Sequence, residues 1–404
     1  MSEAPANPTP DDWATDYDLF DGRFIENPYA IWNDLRERCP IAHTDRLGGS
    51  WMPTTMEDIR AIAKDTAHFS SREVTVVPPE LTENDFQDVH APPIESDPPE
   101  HGWAKRLILP AFLPPAVAAY EPTTRELCRS LIEKFAARGH ADAAAEYAQQ
   151  IPVRVIAMML GVPTEMSDTF TGWVRDILEY AAEDPEQAAV SRDELFQYLD
   201  QHIQARRDDP GDDLISQLHA AEVDGEPVPH MHILGTCALV LIAGIDTTWS
   251  GIGASMWHLA THADDRRRLA AEPELIATAI EEFLRAYSPV TMARIVTEDT
   301  EFGGCPMKEG DRVLLPFSAA NRDPAAFEDA DKVIIDRARN RHVAFGVGIH
   351  RCAGSNLARM EMCVAVEEWM KLIPEFELDR SQPMQWAGGQ VRGPRRLPVT
   401  FAHA

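Results

Sequence analysis

Apolar residues recur at helical spacing through residues 26–38, 124–137, 144–160 and 192–206, with polar residues between them. This is the pattern of helices that bury one face. The stretch 229–261 differs, because its middle is apolar nearly all round, which predicts a helix enclosed at the centre of a large domain. A further amphipathic helix is predicted over 272–287, stopped by Pro289. Strand signals are sparser: 291–297, 312–316 and 397–402, with Gly303-Gly304 and Glu309-Gly310 marking hairpin-like turns. Residues 72–100 carry six prolines and no period. They predict a long loop, of the kind that often acts as a lid. Residues 1–12 read as a flexible terminus. The whole predicts a mainly α fold with small peripheral β-sheets (α+β).

Charge narrows the function. The 404 residues hold 37 Lys and Arg against 66 Asp and Glu, a net of −29. That excludes nucleic acid, whose phosphates need a basic footprint, and argues against an anionic membrane surface. No segment reads as a membrane span or secretory leader, so a cytoplasmic protein is expected. Six cysteines lie scattered without a CxxC pair, as in a reduced protein where a special cysteine is special for its chemistry.

One cysteine stands out. Residues 345–354 read Phe-Gly-Val-Gly-Ile-His-Arg-Cys-Ala-Gly, followed by the helical run SNLARMEMCVAVEEWMKLI. The glycines permit tight turns and close approach to a flat ligand. The helix start favours a thiolate at Cys352. A dinucleotide loop fails, since Arg351 stands where a third glycine belongs, and a Walker loop fails for want of Gly-Lys-Ser/Thr. Zinc would need further Cys or His at matching spacing, and only His342 and His350 are near. A single thiolate on a glycine-lined surface suits a metal held mainly by its own macrocycle, which is haem.

The segment Phe345-Gly-x-Gly-x-His-x-Cys352-x-Gly resembles the haem-ligand signature of the cytochrome P-450 monooxygenases. The family's other marks follow in order across roughly residues 90–360. The resemblance implies one domain over 1–404, with haem b buried between the long central helix and the cysteine loop, and Cys352 as metal ligand. Glu282 and Arg285 resemble the family's ExxR pair, with Arg337 joining them as a scaffold. Ala243-Gly244-Ile245-Asp246-Thr247 resembles its acid–alcohol pair, which implies catalytic roles for Asp246 and Thr247 in delivering protons to iron-bound oxygen. Gly244 is expected to let the helix open locally. For haem contacts, the resemblance implies His101, Lys105 or Arg106, Arg294, Phe345 and His350. Val240, Ala243, Gly244, Val290, Met292 and Val391 are the expected substrate contacts.

The activity implied is insertion of one atom of dioxygen into a small hydrophobic substrate of terpenoid, aromatic or acyl type. Electrons are expected from a separate ferredoxin or flavodoxin-type donor with its NAD(P)H reductase. A peroxide-driven haem-thiolate enzyme and a non-enzymatic haem sensor stay open as alternatives. Residues 301–404 carry 14 basic and 14 acidic side chains, so the whole excess of acid lies before them. Lys332, Arg337, Arg339, Arg341, Arg351 and Arg359 lie close together in sequence, with Arg337 expected inside, and suggest a local basic face for an acidic electron carrier.

Overall fold

The helix His230–Thr261 runs 32 residues through the protein, roughly 48 Å at 1.5 Å per residue. Most of its side chains are buried on every side, as its all-round apolar pattern requires. It is the one helix among the described residues long and apolar enough to cross a membrane, and it is enclosed by the protein instead. The computed structural model describes residues 9–78, 86 and 88–402. Parts of the 1–12 terminus and of the 72–100 loop, residues 79–85 and 87 among them, lie outside that range.

Around the central helix pack Gln150–Leu160, Pro185–Asp208, Ile276–Ala286 and Ser355–Leu372. The helix expected over 144–160 divides in two. A wide-turn segment, Ala143–Ala148, is capped by the Asp142 carboxylate, and Gln150–Leu160 follows, ending at Gly161 with φ 73°. The helix expected at 192–206 is longer, Pro185–Asp208, because Asp184 caps it and Pro185 opens it.

Gly244 has a different reason from the one the sequence suggested. The helix stays continuous through it. A Cβ there would sit 2.5 Å from Ile156 Cδ1, so glycine is what lets Gln150–Leu160 approach this closely.

The largest sheet has five strands in the order Ile41–Thr44, Ser50–Pro53, Arg312–Pro316, Thr291–Val296, Phe69–Ser70. Arg312–Pro316 pairs antiparallel with Thr291–Val296, Val313 opposite Arg294, and parallel with Ser50–Pro53. The expected Gly303-Gly304 turn closes a small hairpin between Thr300–Phe302 and Cys305–Met307. The strand expected at 397–402 is Pro398–Phe401.

Behind the cysteine loop a polar lock is buried in the core. Arg285 donates to both carboxylate oxygens of Glu282, at 2.8 and 2.7 Å, and both side chains are fully buried. Arg285 also donates to the carbonyls of Asn321, Ala330 and Lys332. Arg337 Nε reaches Glu282 Oε2 at 3.0 Å and Asn340 Nδ2 reaches it at 3.1 Å. The pair is therefore a junction tying the helix Ile276–Ala286 to the 321–340 segment that leads into the loop, and not a surface bridge worth little.

Candidate functional site

A cavity of about 240 Å³ opens between the central helix and the loop that ends at Cys352. The loop's shape follows from its glycines. Gly346 and Gly348 adopt φ 70° and 75°, and a Cβ on Gly348 would press to 3.0 Å on the Ala63 carbonyl. The Cys352 N–H donates to the Phe345 carbonyl at 2.8 Å, closing the loop, and the helix Ser355–Leu372 starts three residues on. Cys352 lines the cavity and is exposed to it. Burial pushes its thiol up from the ordinary value, against the Gly354 N–H and the charges of Lys105, Arg359 and Arg351. The helix start by itself does not make a thiolate here; a bound metal would supply the remaining stabilisation. Among the described residues no group of three or more His, Cys, Asp or Glu could hold a metal ion unaided.

Four basic residues converge on one side of the cavity: His101, Lys105, Arg294 and His350. The imidazoles of His101 and His350 lie 4.3 Å apart, and His350 Nε2 meets Ser71 Oγ at 3.0 Å. Lys105 Nζ donates to the carbonyls of Ile349 and, at 2.7 Å, Arg351. All four are pulled toward neutrality. Burial, Arg294, His101 and Lys105 push His350 down to about 3. Burial brings Arg294 down to about 10 against Asp97. His101 and Lys105 are lowered mainly by burial as well. His101 Nε2 is buried with no hydrogen-bond partner. A crowded basic cluster with an orphaned nitrogen is a site prepared for an anion, whose charge would favour the protonated forms.

Arg106 does not join it. One residue further along the helix Glu100–Ile108, it turns to the exposed face, so Lys105 is the residue on the cavity side. Phe345 lines the cavity with the Arg359 guanidinium 4.4 Å from its ring centre.

On the opposite wall the central helix presents Val240, Ala243, Gly244, Thr247 and Thr248, joined by Val290 and Met292. Thr247 Oγ1 donates to the Ala243 carbonyl one turn back at 2.8 Å. Val391 is displaced from its expected place. It is buried behind Val290, which it meets as a β-bridge, and does not reach the cavity. Its neighbour Gln390 holds the wall by accepting from the Val76 N–H at 2.7 Å and reaching Met292 Sδ at 3.4 Å.

Asp246 faces away from the cavity. Its carboxylate oxygens lie 2.8 and 3.0 Å from Arg395 Nη2, and Arg395 also bonds Ser250 Oγ at 3.0 Å and Glu179 Oε2 at 2.8 Å. Glu179 binds Arg175 in turn, and Arg175 meets the Tyr180 hydroxyl. Burial, with Arg395 opposing and Glu179 assisting, raises Asp246 to about 6. Burial also pushes Glu179 up, but Arg395 and Arg175 pull it below its ordinary range. Sequence reasoning missed Arg395 and Glu179, since nothing local links positions so far apart.

A haem fits these residues: a single thiol at the mouth of a glycine-shaped loop, a cationic cluster with an unsatisfied buried donor for two propionates, and an otherwise largely apolar enclosure.

Comparison with known proteins agrees. Residues 163–385 match the family model described as Cytochrome P450. The mycinamicin IV hydroxylase/epoxidase of Micromonospora griseorubida is 33% identical over 379 residues, covering 92% of this chain and 94% of that one. The vitamin D(3) 25-hydroxylase of Pseudonocardia autotrophica is 34% identical over 401 residues, covering 95% and 96%. The crystal structure of CYP101J2 superposes with a TM-score of 0.85 at 31% identity, over 100% of both chains. The chain belongs to the cytochrome P450 family. It is a haem-thiolate P450 monooxygenase whose cofactor is haem b.

Proposed function

We propose that Cys352 supplies the thiolate to haem iron, that His101, Lys105, Arg294 and His350 hold the propionates, and that the substrate is a small hydrophobic molecule. Bound haem would supply the activation of dioxygen. The observation that carries this reading is the division of one cavity into a thiol and cation side and an apolar side. The thiol and cations suit the cofactor, while Val240, Ala243, Gly244, Val290 and Met292 offer a substrate no hydrogen-bond donors or charges. Such walls favour a compact terpenoid, aromatic or acyl compound.

Thr247 holds its hydroxyl at the cavity face of the central helix, where it donates to the Ala243 carbonyl and could turn to donate into the cavity. Asp246 supports it from behind, as a carboxylate that titrates near neutrality and connects through Arg395 toward Glu179 and Arg175. An acid–alcohol pair serves reduction of dioxygen better than use of peroxide, which favours the oxygen-dependent reading over the peroxide-driven one.

Electrons come, on this reading, from a separate ferredoxin-type protein in the cytoplasm, docking near the cysteine loop. Arg337 is internal, bonded to Glu282; Arg359 is paired with Glu281 and Lys332 with Asp329. Arg339, Arg341 and Arg351 remain exposed, Arg351 also lining the cavity. Charge reversal at Arg339 or Arg351 should slow reduction and flatten its salt dependence.

The reduced, CO-treated protein should show the red-shifted Soret band of thiolate-ligated haem, and C352A should lack it. A screen of hydrophobic compounds for displacement of ferric water then finds the substrate class. Wild type without that band would overturn the assignment of Cys352.

A further inference from the structure

Seven tyrosines are spread along the chain, and the partner of each hydroxyl decides what it can do. Tyr17 meets Ser50 Oγ at 2.6 Å, Tyr147 donates to the Ala365 carbonyl at 2.8 Å, and Tyr29 to the Ala286 carbonyl at 3.3 Å. Neither a hydroxyl nor a carbonyl takes up a proton at neutral pH. Tyr287 is different. Among the described residues it alone sets its hydroxyl on an imidazole, 2.7 Å from His258 Nδ1, and both side chains are buried.

The imidazole is held as a base. His258 Nε2 lies 2.8 Å from Asp265 Oδ2, so Nε2 carries the hydrogen given to the carboxylate and Nδ1 accepts from the phenol. Burial pulls His258 below its ordinary value against the pull of Asp265, which leaves it neutral. Burial pushes the Tyr287 phenol up, so it keeps its proton. His262 stacks flat on His258 at 4.0 Å, and the Arg322 guanidinium lies 5.7 Å from the Tyr287 ring centre. The three members come from the central helix, the helix Ala263–Ala271 and the residue that caps Ile276–Ala286. A tie between helices needs only a hydrogen bond, whereas this one is ordered as phenol, base and acid.

Tyr287 stands between the cavity and the surface. Leu284, Pro289 and Val290 line the cavity, and Tyr287 is two residues from Pro289, a backbone span of at most about 7 Å. On its other side the Tyr287 ring meets Trp257 at 5.5 Å, and Trp257 meets Trp386 at 5.4 Å. Exposure rises along that row, from the buried Tyr287 to the half-buried Trp257 and Trp386. A buried phenol gives up an electron readily only if its proton leaves with it, since otherwise a cation is stranded in the core. His258 is placed to take that proton.

We propose that Tyr287 is a redox-active residue, a one-electron outlet that drains the haem side of the cavity when no substrate is there to be oxidised. The overall reaction is RH + O₂ + 2e⁻ + 2H⁺ → ROH + H₂O. Without RH, the remaining oxygen atom has to be reduced instead, O + 2e⁻ + 2H⁺ → H₂O. In the proposed step the Tyr287 O–H bond breaks. Its electron goes to the oxidised centre and its proton to His258 Nδ1, leaving a neutral tyrosyl radical beside an imidazolium paired with Asp265. A thiol in solution refills the radical through Trp386 and Trp257, and the proton returns from His258. Two such passages oxidise two thiols to one disulfide, releasing the two electrons and two protons that the oxygen atom consumes.

The proposal rests on haem standing in this cavity on Cys352, and the experiment reads the two apart. Haem-loaded, substrate-free protein is mixed with a peracid, which delivers the same oxygen atom and leaves a carboxylic acid, and is freeze-quenched for electron paramagnetic resonance. Wild type should give a tyrosyl signal that changes shape when the tyrosines are ring-deuterated. Y287F should lose it. H258Q, which keeps a hydrogen-bonding side chain without a base, should cut it several-fold. W257F should lengthen its life several-fold when thiol is present, and repeated peracid should bleach the haem of Y287F several-fold faster than that of wild type. A wild-type spectrum with no tyrosyl radical overturns the proposal whether or not the variants fold, and so does an undiminished signal in Y287F. The red-shifted CO band is recorded on the same samples. With the band present, either result removes the outlet alone; a wild type without the band removes the Cys352 assignment and the outlet together.

Discussion

Arg395→Met tests the buried charge chain behind the central helix. In the folded protein the Asp246 and Arg395 side chains are 1% and 3% exposed, and Arg395 is the cation in contact with Asp246. Even with it, burial raises Asp246 from its ordinary 3.8 to about 6. At ~1.4 kcal/mol per pH unit, that gap costs about 3 kcal/mol when the group is ionised. Because the folded value lies above the unfolded one, the cost is felt in full above about pH 6 and fades as pH falls toward 3.8.

Methionine removes the attraction and leaves a buried carboxylate alone, a loss of about 3–5 kcal/mol at neutral pH. Asp246 then keeps its proton to a higher pH, so the loss should shrink on acidification. Urea unfolding of the haem-loaded protein across the range between neutral and mildly acidic pH measures this. The midpoint of R395M should fall by on the order of 1 M at the neutral end and recover toward wild type at the acidic end. D246N/R395M should recover most of the loss at neutral pH. If the double variant is as unstable as R395M, and R395M has the pH dependence of wild type, the two residues are not coupled and the chain is packing only.

Three further outcomes follow from the geometry. T247A should bind haem and substrate normally yet divert electrons to peroxide, measured as peroxide released per reductant consumed. K105M should weaken haem retention in a competition with apomyoglobin, whereas R106M should not, since only Lys105 faces the cavity. R285K should lower the yield of the red-shifted CO form sharply, because a lysine cannot hold both Glu282 oxygens and three carbonyls from its place.

The cysteine loop was legible because its chemistry is local. Gly346, Gly348, Cys352 and the following helix are contiguous, and positive φ at both glycines is written in their lack of a Cβ. Glu282 and Arg285 were legible as a pair, but their full burial was not. That depends on the segment from Asn321 to Asn340 folding over them. Lys105 and Arg106 looked equivalent in sequence, and one helical step of about 100° puts one on the cavity and the other in solvent. Val391 was misplaced because a strand's neighbours depend on which partner it bridges.

By itself the sequence determined the helical class, the enclosed central helix, and the thiol and the threonine that line the cavity. Each rests on spacing within a few residues, where backbone periodicity dictates which side chains share a face. Tertiary structure alone decided which charges meet. It turned Asp246 from the cavity toward Arg395, 149 residues away, and gathered four basic side chains at the cavity from remote segments. Electrostatic partners and burial are properties of distance in space, and a chain acquires them only when remote segments pack together.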